Sequence, residues 1–598
     1  MTFFEFSKSL QKLEETPSRL EMTYQLADLF TKLSTKASGQ EIVLASYIMQ
    51  GKLVPPYESQ EFNLSVKMVQ RALAKFTSGD HQDGQMTDLF GDVKDDASKL
   101  KEVVKKYKQL GDLGLVVEEI LKDNKVEKHL SIQEVYDKLF KIAQDGGAGS
   151  QERKVDALVD LLKDSESISA KFIIRLIIGK LRLGFSTMTM IDALSWAKNK
   201  DKSESKDLEL AYQKKADLGK LAQLYLAFDN KKERLAHLIN LSVEAGVPVV
   251  PALCQRLNSS EEIIQKMGEV YAEPKFDGLR VQIHFIRGKD GVKIKAFTRN
   301  LEDVSHMFPE LDQAASILKC DSCVLDSEAI GFDPKTGKLV EFQKTMKRKR
   351  KHDIEETAKE VPMRFYVFDV LEIDNKSIIA NPLRDRKDLL NRLFSKNEVF
   401  FQTEYIVTSD IDILRSFHEQ QLKDGLEGAV MKKSDSVYIS GRKGWSWVKI
   451  KEEEGNQGKL SDTLDLVVMG YYAGRGKRSQ FGIGAVLAGV LDKNENIKTI
   501  AKIGTGLTED QLVLMKKVCD ENKSNEKPNG YEVHKNLIPD VWVKPEVVIE
   551  VAADELTKSP THSAGVALRF PRMLKFRDDK SLEQITKKSE LSSISHLK

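Results

Sequence analysis

The sequence predicts a multidomain α+β protein in which an all-helical N-terminal region, a mixed α/β centre and a mostly β C-terminal region follow one another. Apolar residues recur at helical spacing through residues 1–244. Two prolines in the extended stretch Glu244-Ala-Gly-Val-Pro-Val-Val-Pro251 then end the helical series. Short β-branched runs separated by turns take over beyond it and dominate from Gly455 onward. The expected boundaries are 1–244, 245–452 and 453–598.

At 598 residues and 41% hydrophobic, the chain can bury several cores. Lys plus Arg number 93 against 91 for Asp plus Glu, a formal charge of +2, so any nucleic-acid surface must come from local clustering. The sequence opens without a charged-then-apolar leader, contains no long apolar run and has only four cysteines, which predicts a reducing, cytoplasmic setting without membrane attachment. Cys320 and Cys323 form a C-x-x-C that lacks the second pair of a four-thiolate zinc site, so they read as structural.

In the N-terminal region Ser18 and Glu21 mark a helix start, and Leu26, Leu29, Phe30 and Leu33 share its apolar face. Residues 78–98 read as an exposed polar loop. Two segments could touch an anion: Gly146-Gly-Ala-Gly149-Ser150 and Gly184-Phe-Ser-Thr-Met-Thr189 each lead into a helix, where free backbone N–H groups suit phosphate. From the residues alone, capping and turning explain them better.

The centre is organised around Glu273-Pro-Lys-Phe-Asp-Gly-Leu-Arg280, which sets Lys275 ahead of a strand whose Val281, Ile283 and Phe285 share one face. An amine is a suitable nucleophile for phosphorus once it is neutral, yet a free lysine is deprotonated about once in 2,500 at pH 7. Basic residues and metal-binding carboxylates are therefore wanted downstream. Further strands are expected at 292–297 and 324–330, with Arg299, Glu328, Phe368, Glu427, Lys449 and Lys451 at or near strand ends. Singly, each has a bland account as a cap, a solvated face or core. The basic run 347–352 reads as a solvated helix face or a phosphate-facing patch.

Strands are expected at 464–472, 484–491, 497–503 and 541–551, with one helix opened by the capping box Thr508-Glu-Asp-Gln511. This pattern resembles a small OB-fold β-barrel, with basic loops at Arg475, Lys477 and Arg478 and a late Arg577-Asp-Asp-Lys580.

Taken in order, Lys275-Phe-Asp-Gly with Arg280, Thr298-Arg-Asn300, Asp326-Ser-Glu328, Phe365-Tyr-Val-Phe-Asp369, Glu427-Gly-Ala-Val-Met-Lys432, Trp447-Val-Lys-Ile-Lys451 and Arg577-Asp-Asp-Lys580 resemble the ATP-dependent DNA ligases. The likeness is closest to the three-domain type of archaea, related to the eukaryotic replicative enzymes. It implies a helical DNA-binding domain, a nucleotidyltransferase (adenylation) domain and an OB-fold domain, with ATP and Mg2+ as cofactors. It implies that Lys275 forms a covalent adenylate, that Lys449 and Lys451 neutralise the α-phosphate, and that Arg280 and Arg299 serve ribose or 5′-phosphate. Glu427 and Glu328 would serve magnesium or the ribose hydroxyls, Glu273 the adenine edge and Phe368 its face. Arg577, Asp579 and Lys580 would orient pyrophosphate. Gly147, Gly149, Ser150, Arg182, Ser186, Thr187 and Thr189 would grip the minor groove of nicked duplex DNA, the expected partner of a monomer working in replication, repair and recombination. Ser327 departs from the glycine common in the third motif, and the segment 85–90 matches a sliding-clamp peptide poorly. The rivals are an RNA ligase or capping-type nucleotidyltransferase, and a non-catalytic DNA-binding scaffold.

Overall fold

A computed structural model describes the chain except residues 17, 79–90, 290, 341–344, 346–347, 349–353, 396, 442, 452–462, 475–477, 479–480, 505–506, 554 and 592–598, and except the side chains of 91–97, 354, 355 and 555. The segment 85–90, Arg475, Lys477 and most of the basic run 347–352 thus lie outside the described residues. The chain forms two compact units, Met1–Leu257 with Glu261–Lys449 and Asn258–Ser260 with Ile450–Lys598. The helical region and the mixed centre share the first.

Helices fill the N-terminal region, and Ser18 caps the helix Arg19–Lys36 by accepting a hydrogen bond from the Glu21 N–H. Leu26, Leu29, Phe30 and Leu33 are fully buried, in a core shared with Phe3, Phe6 and Phe172. Among the described residues no helix is long and apolar enough to cross a membrane.

The centre contains two sheets. Strands β1 (Gln255–Arg256), β2 (Val270–Pro274), β9 (Ile406–Thr408), β10 (Ala429–Lys433) and β11 (Trp447–Ile450) run in the order β1-β11-β10-β2-β9. A six-stranded sheet orders β4 (Gly291–Thr298), β3 (Leu279–Gly288), β5 (Ser322–Gly331), β6 (Met363–Ile373) and β7 (Lys376–Ser377), with β8 (Phe400–Gln402) parallel to β6. Alternation along β3 sends Val281, Ile283 and Phe285 into the core and puts Gln282 and His284 on the opposite face.

That opposite face grips the proline-containing stretch that joins the helices to the centre. Gln282 accepts from the Val249 N–H at 2.8 Å and donates to the Val249 carbonyl at 3.2 Å, while His284 Nδ1 accepts from the Gly246 N–H at 3.0 Å. Nearby, Tyr47 and Tyr57 donate to the two carboxylate oxygens of Asp217 at 2.9 and 2.8 Å, and the Tyr57 ring meets Phe297 edge-on.

In the second unit β12 (Leu464–Tyr472) pairs on one edge with β13 (Ala485–Leu491), which continues to β14 (Ile497–Ile503). Its other edge is shared by two partners. One is Val541–Val543, and the other is Val548–Ala552, which itself pairs with Arg572–Phe576. A register shift between Val468 and Gly470 bends β12 where the partners change. The run 541–551, expected as one strand, is thus two strands broken at Lys544-Pro545-Glu546, since proline lacks the N–H a ladder requires. Thr508 caps Glu509–Glu521 as expected. Two basic residues read as surface cations are structural instead. Arg348 is buried against Glu310 at 2.9 Å, and Arg478 donates to the carbonyls of Gly484 and Gly504.

Burial and the nearby Lys295 push the His284 imidazole down to about 3. The neutral ring therefore contributes fully above its ordinary value of about 6.5, and that contribution is lost as pH falls towards 3. Between pH 7 and about pH 4.5 the loss is expected to be about 2 to 3 kcal/mol. Chemical denaturation of the wild type should show it, and His284→Gln should flatten the slope.

Candidate active site

A cavity of about 500 Å³ opens between the two sheets, with walls from β2, β3, β4, β5, β6, β10 and β11. Lys275 sits where the β2–β10 ladder ends. The Lys275 N–H donates to the Gly428 carbonyl at 2.9 Å, and the Glu427 N–H donates to the Lys275 carbonyl at 3.1 Å. This extension of the ladder sets the two side chains opposite each other, and Lys275 Nζ contacts Glu427 Oε2. Three residues on, Gly278 packs so closely on β5 that a Cβ would lie 2.7 Å from the Ala329 carbonyl oxygen and 2.9 Å from Glu328 Cγ. The small residue lets the loop that follows Lys275 lie directly on β5 beside Glu328. Burial pushes the Glu328 carboxyl up to about 7, against the pull of Arg280 and Lys275.

Arg280 is fixed from behind. Its Nε and Nη2 donate to the two oxygens of Asp326 at 3.0 and 2.6 Å, and Nη1 donates to the Ala252 carbonyl at 2.6 Å. Tyr438 adds a hydrogen bond to Asp326 at 2.8 Å. Arg280, expected to meet ribose or phosphate directly, spends most of its N–H groups inside the protein and presents its remaining edge to the cavity. The departing residue Ser327 is buried and donates to the Val281 carbonyl at 2.7 Å, an internal tie between β5 and β3.

At the far end Glu273 is held by two buried lysines. Its Oε2 lies 2.7 Å from Lys432 Nζ and its Oε1 contacts Lys387 Nζ. Burial pulls the Lys432 ammonium below its ordinary range, with Glu273 acting the other way. Beside it, burial alone would raise the Asp369 carboxyl, but Arg386 overrides that by donating at 2.8 and 3.0 Å and holds it low. Phe368 and Trp447 form the adjoining aromatic wall.

Arg299 and Lys449 line the cavity, whereas Lys451 follows β11 and belongs to the second unit. Also in that unit, Arg577 binds Asp579 through paired contacts of 2.8 and 2.7 Å, and both Arg577 and Lys580 reach Asp465 on β12, at 2.9 and 2.5 Å. Glu328 and Glu427 both lie close to Lys275, and two hard carboxylates suit a magnesium ion that completes its shell with phosphate and water.

The two helix-start loops form as expected. Gly147 and Gly149 adopt φ of 78° and 74°, and Ser150 opens the helix Ser150–Lys163. Arg182 also has positive φ, at 61°, and its half-exposed guanidinium donates to the Gly111 carbonyl at 3.1 Å. Ser186 is exposed and caps Thr187–Asn199, but Thr189 is 3% exposed and completes that capping box, so its side chain shapes the helix start rather than facing a partner. Sequence reasoning missed Lys387, Arg386 and Arg153, and it named Lys432 and Asp326 only as motif positions without a role. The role of Lys432 could have been found, because it alternates along β10 with Val430 and both line the cavity.

Asp326→Ala leaves the half-buried Arg280 without its counter-ion, an expected loss of up to about 3 kcal/mol. Urea denaturation should register it, and Tyr438→Phe, which removes the hydroxyl that donates to Asp326 and accepts from the Ala252 N–H, should cost about 1 to 3 kcal/mol.

Three families of ligase domain match the chain: "DNA ligase N terminus" over residues 2–195, "ATP dependent DNA ligase domain" over 251–451 and "ATP dependent DNA ligase C terminal region" over 479–580. A probable DNA ligase of Dictyoglomus turgidum is 38% identical over 603 residues, covering 99% of this chain and 97% of its own. DNA ligase 2 of Thermofilum pendens is 36% identical, covering 97% and 95%, and the DNA ligase of Saccharolobus solfataricus is 32% identical, covering 99% and 96%. With matches that span nearly its whole length, the chain belongs to the ATP-dependent DNA ligases, enzymes that use ATP to join nicked DNA.

Proposed function

We propose that the protein seals 5′-phosphate/3′-hydroxyl nicks in duplex DNA as a monomer, through an adenylate carried on Lys275. The observation that carries this reading is the contact of Lys275 with Glu427, near Glu328, in a cavity lined by several cations and by an aromatic wall. In the first step Nζ attacks the α-phosphorus of ATP. The N–P bond forms as the bond to the bridging oxygen breaks, pyrophosphate leaves, and the amine releases its proton to water. The 5′-phosphate of the nick then displaces Lys275 from that phosphorus, which gives a DNA adenylate. Finally the 3′-hydroxyl attacks the 5′-phosphorus, AMP leaves, and the strand is closed. Covalent catalysis divides one condensation into displacements with good leaving groups.

Lys449 and Arg299 would meet the phosphates, Lys451 joining them, and each preorganised donor of this kind is typically worth about 2.7 to 4 kcal/mol. Arg280 would contribute its cavity-facing edge. Phe368 would stack on adenine and Glu273 would accept from its amino group. Glu427 and Glu328 would hold magnesium, which supplies charge neutralisation on the phosphate oxygens when bound. Arg577, Asp579 and Lys580 would orient pyrophosphate, with Asp465 anchoring the two cations. On DNA, the exposed Gly147, Gly149, Arg182 and Ser186, with the half-buried Ser150 and Thr187, would meet the backbone of the minor groove and so report continuity without reading bases. All four cysteines are free, in keeping with a reducing, cytoplasmic setting.

Incubation with ATP and magnesium, without DNA, should add one AMP that maps to Lys275 by peptide mass spectrometry, and Lys275→Ala should carry none. A nicked DNA duplex should then be sealed in preference to a nicked RNA duplex. Affinity for nicked DNA should fall by about 10³-fold or more between about 50 and 200 mM salt if six or more phosphates are contacted. A flat response in a filter-binding series would contradict phosphate-dominated binding.

A further inference from the structure

The base end of the cavity contains more charge than its contact with a nucleotide requires. Glu273, Lys387 and Lys432 are each no more than 2% exposed, and the Asp369–Arg386 pair beside them is equally hidden. Burying such groups is costly unless each is matched in place. Lys432 does more than match Glu273. Its Nζ donates to the Phe368 carbonyl at 3.1 Å and stands 4.4 Å from the ring centres of both Phe368 and Trp447. One ammonium therefore ties together Glu273 on β2, Phe368 on β6 and Trp447 on β11, so it bridges the two sheets that form the cavity. Lys387 comes from the helix Leu383–Leu393 and holds the other oxygen of Glu273, with the Tyr405 ring 5.0 Å from its Nζ.

We infer that Lys432, backed by Lys387, is a positioning residue that sets the preference of the site for adenine over guanine nucleotides. The inference rests on the lysyl-adenylate reading above. With one lysine on each oxygen, the Glu273 carboxylate is held in place in the wall of the cavity. An exocyclic amino group, as in adenine, donates to such an acceptor, whereas the carbonyl that guanine carries at that position is repelled by it. Lys432 does not cancel this selectivity, because its N–H groups are committed to Glu273 and the Phe368 carbonyl and its charge faces two aromatic rings. Without Lys432 the carboxylate swings free of one anchor and the aromatic wall loses its tie to β10, so both the amino-group acceptor and the stacking face lose their alignment.

The test measures transfer of label from α-labelled ATP or GTP onto the full chain, with kcat and KM for each, in the wild type, Lys432→Met, Lys432→Arg and Lys387→Met. Lys432→Met is expected to raise KM for ATP more than it lowers kcat, and to cut the ATP-to-GTP ratio of kcat/KM by at least about tenfold. Lys387→Met should move the ratio in the same direction, and Lys432→Arg should restore most of it. A ratio within about twofold of the wild type in Lys432→Met, with both nucleotides slowed together, overturns the inference and leaves Lys432 a structural cation. If thermal melting shows that Lys432→Met does not fold, Lys387→Met decides by the same criterion. Absence of label on the wild type with either nucleotide would overturn the lysyl-adenylate reading itself, an outcome distinct from an unchanged ratio on a labelled protein.

Discussion

Charge removed from water has to be matched where it lies, and the catalytic half of the first unit is built around that requirement. Ion pairs cross its interior: Arg280 with Asp326, Arg386 with Asp369, and Glu273 with both Lys387 and Lys432. Each joins residues from different strands, or a strand and a helix. A wall of the cavity can therefore move only by separating charges in a medium that screens them poorly. Hydrophobic packing alone would allow the strands to slide by small amounts at modest cost. Paired guanidinium and carboxylate groups allow far less, because their bonds are directional as well as strong.

The same logic extends from the cavity to the helical region. Gln282 and His284 project from the back of β3, whose front supports the core, and they hold the extended stretch that follows the last helix. Phe297, fully buried near the end of β4, meets Tyr57 on one side and His284 on another, and the residues directly after it, Thr298 and Arg299, line the cavity. Sequence neighbours thus carry packing against the helical region and line the cavity within two or three positions. The division into a helical and a mixed region is visible in composition, yet these contacts make the two a single compact unit.

Much of this was legible in the sequence because periodicity and short motifs are local. The alternation in β3, the capping residues Ser18 and Thr508, and the strands Leu464–Tyr472 and Ile497–Ile503 follow from spacing alone. Lys275 could be singled out because its motif is compact, and Glu427 because the resemblance extends in order along the chain. What could not be read were partners distant in sequence. Arg386 and Lys387 sit in a helix whose charges look solvated, and only the tertiary fold turns them inward. Asp326 was quoted as part of a motif, but its service to Arg280 depends on the pairing of β3 with β5. Arg348 and Arg478 erred in the opposite sense, since a basic residue near other basic residues reads as surface until its acceptors are seen. The break at Pro545 is readable in the sequence, although the apolar residues on either side of it mimic one continuous strand.

Arg153 has no counterpart in those motifs. Its guanidinium donates to the carbonyls of Gly146 and Ala148 at 3.1 and 2.9 Å and to both oxygens of Asp145, so it straps the glycine-containing loop from one side. Glycines at positive φ give a loop many alternative shapes, and ordering them on contact with a ligand would cost about 1 to 2 kcal/mol for each residue fixed. Here the ordering is completed when the chain folds. An anion that meets this helix start encounters a surface already in its final shape, so its residence there is governed by the contacts made and not by the time the loop needs to close around it.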